Sequence, residues 1–299
     1  MSTDSEGQFE VDGVRLYSKT WTPTGPVKAK LILVHGYSEH VNTYNDFMPL
    51  LAARGIKVFS WDQRGWGRSA RGASEYGLTG NTDRVLADIA AFVQDKLKAD
   101  PVKVPLFVMG HSMGGGEVCT LMGDTRYSDL VSQVRGWALE CPFIGFTPDA
   151  EPSVLKVFLG RLAGRVFPRR QMKNVIPPEN ITRDPAAVEA IRNDPLCHNT
   201  GTLEGLASML DRTNLLASGT VQVGSNVQSI LLQHGTGDLT CSYDAAVRWV
   251  DQQTKVTDRV TKSYEGGYHQ LHTDLCKAEF TADLVAWILE RSEKVEAKL

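Results

Sequence analysis

Leu106-Phe107-Val108-Met109-Gly110-His111-Ser112-Met113-Gly114-Gly115 is the stretch on which the fold turns. Leu106 to Met109 is a short apolar run that reads as a buried strand. Met113 to Met122 reads as a helix opened by small residues. A serine at such a junction is forced into a sharp turn that exposes its hydroxyl. Side chains at Gly110 or Gly114 would collide with the neighbouring strand and helix. The new helix also leaves free backbone N–H groups beside that hydroxyl, a ready site for developing negative charge. Ser112 is therefore a candidate nucleophile, although a GxSxG pentapeptide by itself is a weak signal.

The flanking sequence sets the class. Lys30 to Val34 and Lys57 to Trp61 are further apolar runs, ending at His35-Gly36 and Asp62. Between them Tyr44 to Arg54 has helical spacing and stops at Gly55, a natural cap. Arg84 to Lys98 is a second helix, and Val134 to Glu140 a strand after the Ser112 helix. Phe9 to Trp21 alternates around Gly13 as a hairpin would. Continuous apolar strands alternating with helices predict an α/β fold, with a mostly parallel central sheet flanked by helices.

The alternation breaks at Pro142 and resumes with Ser229 to Gln233, a helix from Tyr243 to Thr254, a strand from Arg259 to Tyr264, and a last helix from Leu275 to about Glu293. Residues 1–144 and 226–299 are thus two parts of one core. Residues 145–225 are a helical cap inserted over the carboxyl edge of the sheet, where open α/β sheets bind ligands.

Composition narrows the partners. The 299 residues are 42% hydrophobic and 22% charged, ordinary for a globular chain, and the net charge of -3 gives no electrostatic case for nucleic acid. Five scattered cysteines without CxxC spacing argue for reduced thiols in a cytoplasmic setting, and against a disulfide framework or zinc site. The polar, acidic N-terminus lacks the apolar core of a secretory signal. No stretch approaches the ~20 apolar residues of a membrane span, which leaves peripheral membrane contact open.

A serine hydroxyl is a weak nucleophile and needs a base, itself held by an orienting group. Both must come from loops at the edge that carries Ser112. Asp238 follows the Ser229 to Gln233 strand on a glycine-bearing loop, with Asp244 in the next helix as its competitor. His269 follows the next strand directly after Gly266-Gly267, with His272 as its competitor. The order Ser, Asp, His is that of the α/β-hydrolases. His111 and His234 lie too close to strand ends to turn freely, and read as packed structural residues. An oxyanion hole would take its donors from the Met113 and Tyr37 backbone N–H groups. Asp62 to Ser69 lacks phosphate-loop spacing and reads as a structural loop with Arg64 in an ion pair.

Together these residues resemble the α/β-hydrolase superfamily and, within it, the monoacylglycerol lipases in a version that looks fungal. The resemblance spans nearly the whole chain. It rests on His35 to His40, Gly110 to Gly115, Asn193-Asp194-Pro195-Leu196 and Tyr264 to His272. It implies Ser112 as nucleophile, Asp238 as orienting acid and His269 as base, with Tyr37 and Met113 forming the oxyanion hole. Two departures stand out. Mammalian members usually have a small residue in place of Tyr37, and many members carry a serine where this chain has Glu140-Cys141-Pro142. The resemblance also implies thiol sensitivity near the pocket, at positions matched by Cys197 and Cys241. Cys119 and Cys141 read as buried inert thiols.

Within the cap, Ser153 to Arg170 spreads Val154, Leu155, Phe158, Leu159 and Leu162 around more of a helix than one core face needs. With Cys241 they are the expected lining of a lipid pocket. Arg161, Arg165 and Arg169 recur every four residues. A core helix with a solvated basic stripe and a lid facing anionic lipid head groups both fit this pattern.

The expected activity is a serine esterase that hydrolyses monoacylglycerols to glycerol and fatty acid through an acyl-serine intermediate, with no cofactor and no metal. The rivals are a lysophospholipase or broad carboxylesterase with the same triad, and a non-catalytic hydrolase-fold binding protein. The expected partners are an acyl-ester lipid and, through the cap, a membrane or lipid-droplet surface.

Overall fold

The computed structural model describes residues 2–44, 46–100, 102–147 and 161–296. Eight strands form one sheet: β1 Ser2–Val11, β2 Val14–Pro23, β3 Ala29–Val34, β4 Ile56–Trp61, β5 Leu106–His111, β6 Gly136–Glu140, β9 Ser229–Gly235 and β10 Asp258–Tyr264. Their spatial order is β1-β2-β4-β3-β5-β6-β9-β10. From β4 to β10 neighbours run parallel, and the β1–β2 hairpin joins antiparallel through β2 and β4.

Strands β3, β5, β6 and β9 are buried at every residue, which is why their centres read as apolar runs, with polar residues such as Lys30, Glu140 and Gln233 towards their ends. Successive side chains still part to opposite faces. Ile32 and Val34 join one core with helices α2 (Thr82–Ala99), α3 (Ser112–Gly123) and α7 (Tyr243–Gln252). Leu31 and Leu33 join the other, under α1 (Phe47–Ala53) and α8 (Lys277–Glu296). The short helix α4 (Ser128–Ser132) closes the path from α3 to β6.

The hairpin is longer than its sequence suggests. It begins at Ser2, not Phe9, because β1 is an exposed edge strand in which only Phe9 is buried. An edge strand held by backbone pairing alone shows no apolar alternation. Its turn, Asp12-Gly13, has φ of 47° and 69°, the two positive values that a two-residue hairpin turn requires.

Between β6 and β9 the described chain contains helical residues 161–166, strands β7 (Gln171–Lys173) and β8 (Thr200–Thr202), and helices α5 (Pro185–Asn193) and α6 (Leu203–Ala217). The paired strands β7 and β8 are a departure from the all-helical expectation. At three residues each and with few buried side chains they leave no periodic signal. Val154, Leu155, Phe158 and Leu159 lie outside the described residues.

Strand β3 pairs with β4 on one side and β5 on the other, so chain direction across the sheet reverses there. The register sets Val34 beside Gly110. The loops leaving β3 and β5, with Tyr37 and Ser112, therefore emerge together at the carboxyl edge of this switch point.

Candidate active site

Ser112 sits at the first position of α3 with φ of 53°, a left-handed conformation strained for any side chain but glycine. Close packing holds it there. A Cβ on Gly110 would lie 2.5 Å from the Gly114 carbonyl oxygen, and one on Gly114 would meet the Val34 and His35 carbonyl oxygens. The turn is thus clamped between helix and strand, and the Ser112 hydroxyl faces His269. His269 Nε2 lies 2.8 Å from Ser112 Oγ, and His269 Nδ1 lies 2.8 Å from Asp238 Oδ2.

The loops after β9 and β10 fix that alignment by pairing with each other. Gly237 N–H donates to the Gly267 carbonyl and Thr236 N–H to the Tyr264 carbonyl. Asp238 Oδ1 accepts the N–H groups of Thr240 and Cys241 at 2.7 and 2.9 Å, leaving Oδ2 for the imidazole. Burial alone would raise the Asp238 carboxyl. The charge and hydrogen bond of His269 outweigh it and hold the group at about 2. The acid is therefore ionised at neutral pH.

The competing residues find other partners. His272 Nδ1 lies 2.8 Å from buried Glu140, and Asp244 lies in the first turn of α7. His111 lies 3.0 Å from Glu39, which also accepts the Gly36 N–H and the Tyr44 hydroxyl at 2.7 Å each. Burial disfavours a charged His111, but Glu39 and Glu140 overcome it and push the group up to about 9. His111 Nε2 then donates to the His269 carbonyl at 3.3 Å. His234 is packed, with Nδ1 3.1 Å from the Gly235 carbonyl. Arg64 pairs with Asp88 at 2.8 Å.

This network of Glu39, Tyr44, His111, Glu140, Gln270 and His272 underlies His269, and triad motifs in the sequence do not point to most of it. Gln270 donates to Glu39 at 2.6 Å, from the position next to His269. Buried acids next to strand ends were the available signal, since Glu39 and Glu140 each stand beside a motif.

Ser112 and Met113 open into a cavity of about 650 Å³ whose wall includes Tyr37, Phe143, Phe146, Leu206, Met209, Leu210 and Cys241. The wall from helix 161–166 is Arg161; Leu162, expected to line it, is 51% exposed on the outside. Arg161 pairs with Asp211 at 2.5 Å. A smaller cavity of about 170 Å³ shares Tyr37, Val175 and Ile176 with it and is lined by Ser38, Glu39, Asn199 and Gln270. Met113 has its N–H in the first turn of α3, where no carbonyl precedes it to accept. Tyr37, its ring packed edge-on to Trp66 at 4.9 Å, brings its backbone to the same edge. A third cavity of about 680 Å³ lies between α1, α5 and α8, and its lining reaches His272 but not Ser112.

The Hydrolase_4 family, described as "Serine aminopeptidase, S33", matches residues 25–276. The chain belongs to this α/β-hydrolase family. A Schizosaccharomyces pombe protein named "Putative monoglyceride lipase" is 33% identical to it over 94% of this chain and 73% of that protein. The "Monoacylglycerol lipase" of Mycolicibacterium smegmatis is 28% identical over 96% of this chain and 98% of its own. The fold matches a crystal structure of a soluble Saccharomyces cerevisiae monoglyceride lipase variant in complex with a substrate analogue. The TM-score is 0.83, with 20% identity and 97% of each chain covered.

Among the described residues of this hydrolase, two clusters bring metal-ligating side chains together: Cys141 with Asp238 and His269, and His40 with Asp194 and Cys197. The first is the Asp238–His269 pair itself. In the second, His40 Nδ1 accepts the Asn42 N–H, so its proton sits on Nε2 and is donated to Asp194 at 2.9 Å. That hydrogen bond joins the β3 loop to the segment after α5. All five cysteines are free thiols, and Cys119 and Cys141 are fully buried. Among the described residues no helix is long and apolar enough to cross a membrane.

Proposed function

We propose that this hydrolase cleaves monoacylglycerols to glycerol and a fatty acid, with Ser112 as nucleophile, His269 as base and Asp238 as orienting acid. The observation that carries the reading is the largely apolar cavity of about 650 Å³ that opens on Ser112 Oγ. A fatty acyl chain fills such a space, whereas a peptide would bury its amides there without partners. The family's description names a peptidase and the relatives are named lipases; the apolar lining favours the lipases.

His269 Nε2 takes the Ser112 proton as Oγ attacks the ester carbonyl. The Tyr37 and Met113 N–H groups receive the charge that develops on the carbonyl oxygen. His269 then gives the proton to the departing glycerol oxygen, leaving acyl-Ser112. It next takes a proton from water, whose hydroxide attacks the acyl carbon, and returns that proton to Ser112 as the fatty acid leaves. Asp238 stabilises the imidazolium formed in each half.

The cavity of about 170 Å³ beside Tyr37 supports glycerol as the alcohol half. Ser38, Asn199 and Gln270 suit hydroxyl groups. A lysophospholipid phosphate would face the Glu39 carboxylate, which the charge and hydrogen bond of His111 hold ionised against its burial.

The cap elements of 145–225 present exposed Leu162, Val166, Phe167, Met172 and Val175 on the outside, joined by Leu239. Met172, Val175 and Leu239 also line the cavity. We therefore place the mouth against a membrane or lipid-droplet surface, with the free thiols suiting a cytoplasmic setting.

Turnover of monoolein, lysophosphatidylcholine and p-nitrophenyl butyrate, with Ser112→Ala alongside, tests the reading. Monoolein should be the best substrate, and Ser112→Ala should abolish both turnover and labelling by a fluorophosphonate probe. Faster turnover of the lysophospholipid, or labelling that persists in Ser112→Ala, would overturn it.

A further inference from the structure

Helix α3 carries the nucleophile, yet its first turns offer almost nothing for a neighbouring helix to grip. Gly114, Gly115 and Gly116 follow Met113 in succession, and a Cβ on Gly116 would lie 2.7 Å from the Phe143 carbonyl oxygen. Helices normally set their relative position by fitting side-chain ridges into grooves, and of these three glycines only Gly116 comes near α6, beside Leu216. Helix α6 packs against α3, with Leu216 buried beside Gly116. The next residue of α3 after the glycines is Glu117. It is 1% exposed, and its Oε1 accepts a hydrogen bond from Arg212 Nη2 of α6 at 3.2 Å. Arg212, 4% exposed, also donates through Nη1 to Thr82 Oγ1 at the start of α2.

A buried ion pair is an inefficient way to gain stability, because both charges lose their hydration. Burial here disfavours both ionised forms: it pushes the Glu117 carboxyl up to about 7 and draws the Arg212 guanidinium below its usual range. Glu117 Oε2 has no hydrogen-bond partner among the described residues. Two apolar side chains would be cheaper to bury, but they would leave the α6–α3 contact without a directional bond. Hydrogen bonds from one guanidinium to α3 and α2 set a register that grease does not.

The face of α6 adjoining this contact lines the cavity above Ser112, through Leu206, Met209 and Leu210. We propose that Glu117 and Arg212 are positioning residues for the acyl chain: their ion pair fixes the α6 wall of the cavity against the helix that carries Ser112, and so sets which acyl lengths are accepted. Neither residue is part of the cavity wall, and neither touches the triad. The pair acts on long chains, which run along α6, and not on short ones, which end near Ser112. This rests on the acyl-cavity reading above.

The test uses the full-length protein with Arg212→Lys and the double replacement Glu117→Leu with Arg212→Met. The double variant removes both charges at once, the change that buried pairs tolerate best in folding. Each is assayed on monoacylglycerols of increasing chain length and on p-nitrophenyl butyrate, with fluorophosphonate labelling rate and melting temperature measured beside them. The double variant should lose at least tenfold in the ratio of kcat/KM for monoolein to that for the butyrate ester. The loss should enter through KM, while short-ester turnover and probe labelling stay within about twofold. Arg212→Lys, which keeps the charge but not the fork, should fall between. A folded double variant with the wild-type ratio and chain-length profile would reduce the pair to a structural filler and overturn the proposal. Failure of the monoacylglycerol reading would look different, since it would show in the unmodified enzyme, as faster turnover of the lysophospholipid than of monoolein or as none of monoolein.

Discussion

Glu140 holds His272 in place, with one carboxylate oxygen 2.8 Å from its Nδ1 and 3.1 Å from its backbone N–H. Tyr44 stacks on the same ring at 4.4 Å. Of two histidines three residues apart, His269 faces Ser112 and His272 faces away into the network beneath it. The two should therefore fail differently. His269→Ala should lower kcat by on the order of 10⁴ or more with the fold intact. His272→Ala should leave a fluorophosphonate-reactive Ser112 but cost about 3 kcal/mol, because Glu140 stays buried without its partner. Steady-state kinetics and denaturant midpoints separate the two. Loss of labelling in a folded His272→Ala would move the base to His272.

Asp238→Asn probes the orienting acid with little change of shape. An asparagine carbonyl can still accept the Thr240 and Cys241 N–H groups that Asp238 Oδ1 accepts. Its amide, facing His269 Nδ1, would favour the wrong tautomer, and kcat should fall on the order of 10⁴. The melting temperature at neutral pH should fall by only several degrees, because the neutral amide loses the charge interaction with His269 while the backbone contacts of this loop persist. A fall of less than about tenfold would mean that His269 is oriented by other groups.

The same carboxylate predicts an acid limit. In the folded protein Asp238 is held at about 2, below the ordinary value of 3.8. A depressed acid stabilises the fold above its unfolded value and loses that contribution as pH falls through the folded one. The difference is worth about 2 kcal/mol and is lost between roughly pH 4 and pH 2. Glu39 and Glu140, also held low, add loss of the same sign. Unfolding free energy followed downward from about pH 5 should therefore fall more steeply in the wild type than in Asp238→Asn. Parallel curves would show that Asp238 titrates normally.

Much of this was legible before the fold was known, and the reason is physical. Strands buried on both faces must be apolar throughout, so β3, β5 and β9 announced themselves, and their loops delivered Ser112, Asp238 and His269 in order. The tight turn at Ser112 needs Gly110 and Gly114, so it too was written in residue types. Edge strand β1 and the three-residue β7 and β8 are held by backbone pairing, which side-chain periodicity does not record. Glu39, Glu140 and Gln270 form their network only once loops from distant strands meet. Leu162 reads as lining by its helical position, yet Arg161, held by Asp211, takes the cavity side.

Gly114 should tolerate no side chain. Its added Cβ would press on the Val34 and His35 carbonyl oxygens, backbone atoms of the strand that leads to Tyr37. Gly114→Ala should cost about 2–3 kcal/mol and also lower kcat by displacing the Tyr37 loop proposed to supply an oxyanion donor. Gly13→Ala is the control. Open space surrounds that Cβ and only the positive φ of 69° resists it, so the cost should be about 1 kcal/mol with kcat unchanged. Equal costs at the two positions would rule out close packing as the reason for Gly114.

Cys241 lies in the cavity wall beside Ser112, where a reactive thiol would expose the enzyme to alkylation. Burial pushes its thiol well above the ordinary range, and the Asp238 charge adds to the effect. The thiolate is the reactive species, so Cys241 should be slow to modify in the folded protein. Cys276 is half-buried and pushed up to about 12, chiefly by burial; Cys197, also half-buried, is raised too. With iodoacetamide at about pH 8, Cys276 and Cys197 should carry label before Cys241 does, as peptide mass spectrometry over a time course would show. Cys241→Ala keeps the backbone N–H that donates to Asp238 at 2.9 Å, and should retain turnover within about threefold. Rapid stoichiometric modification of Cys241 in the native enzyme would mean that the thiolate is stabilised there, against both its burial and the Asp238 charge.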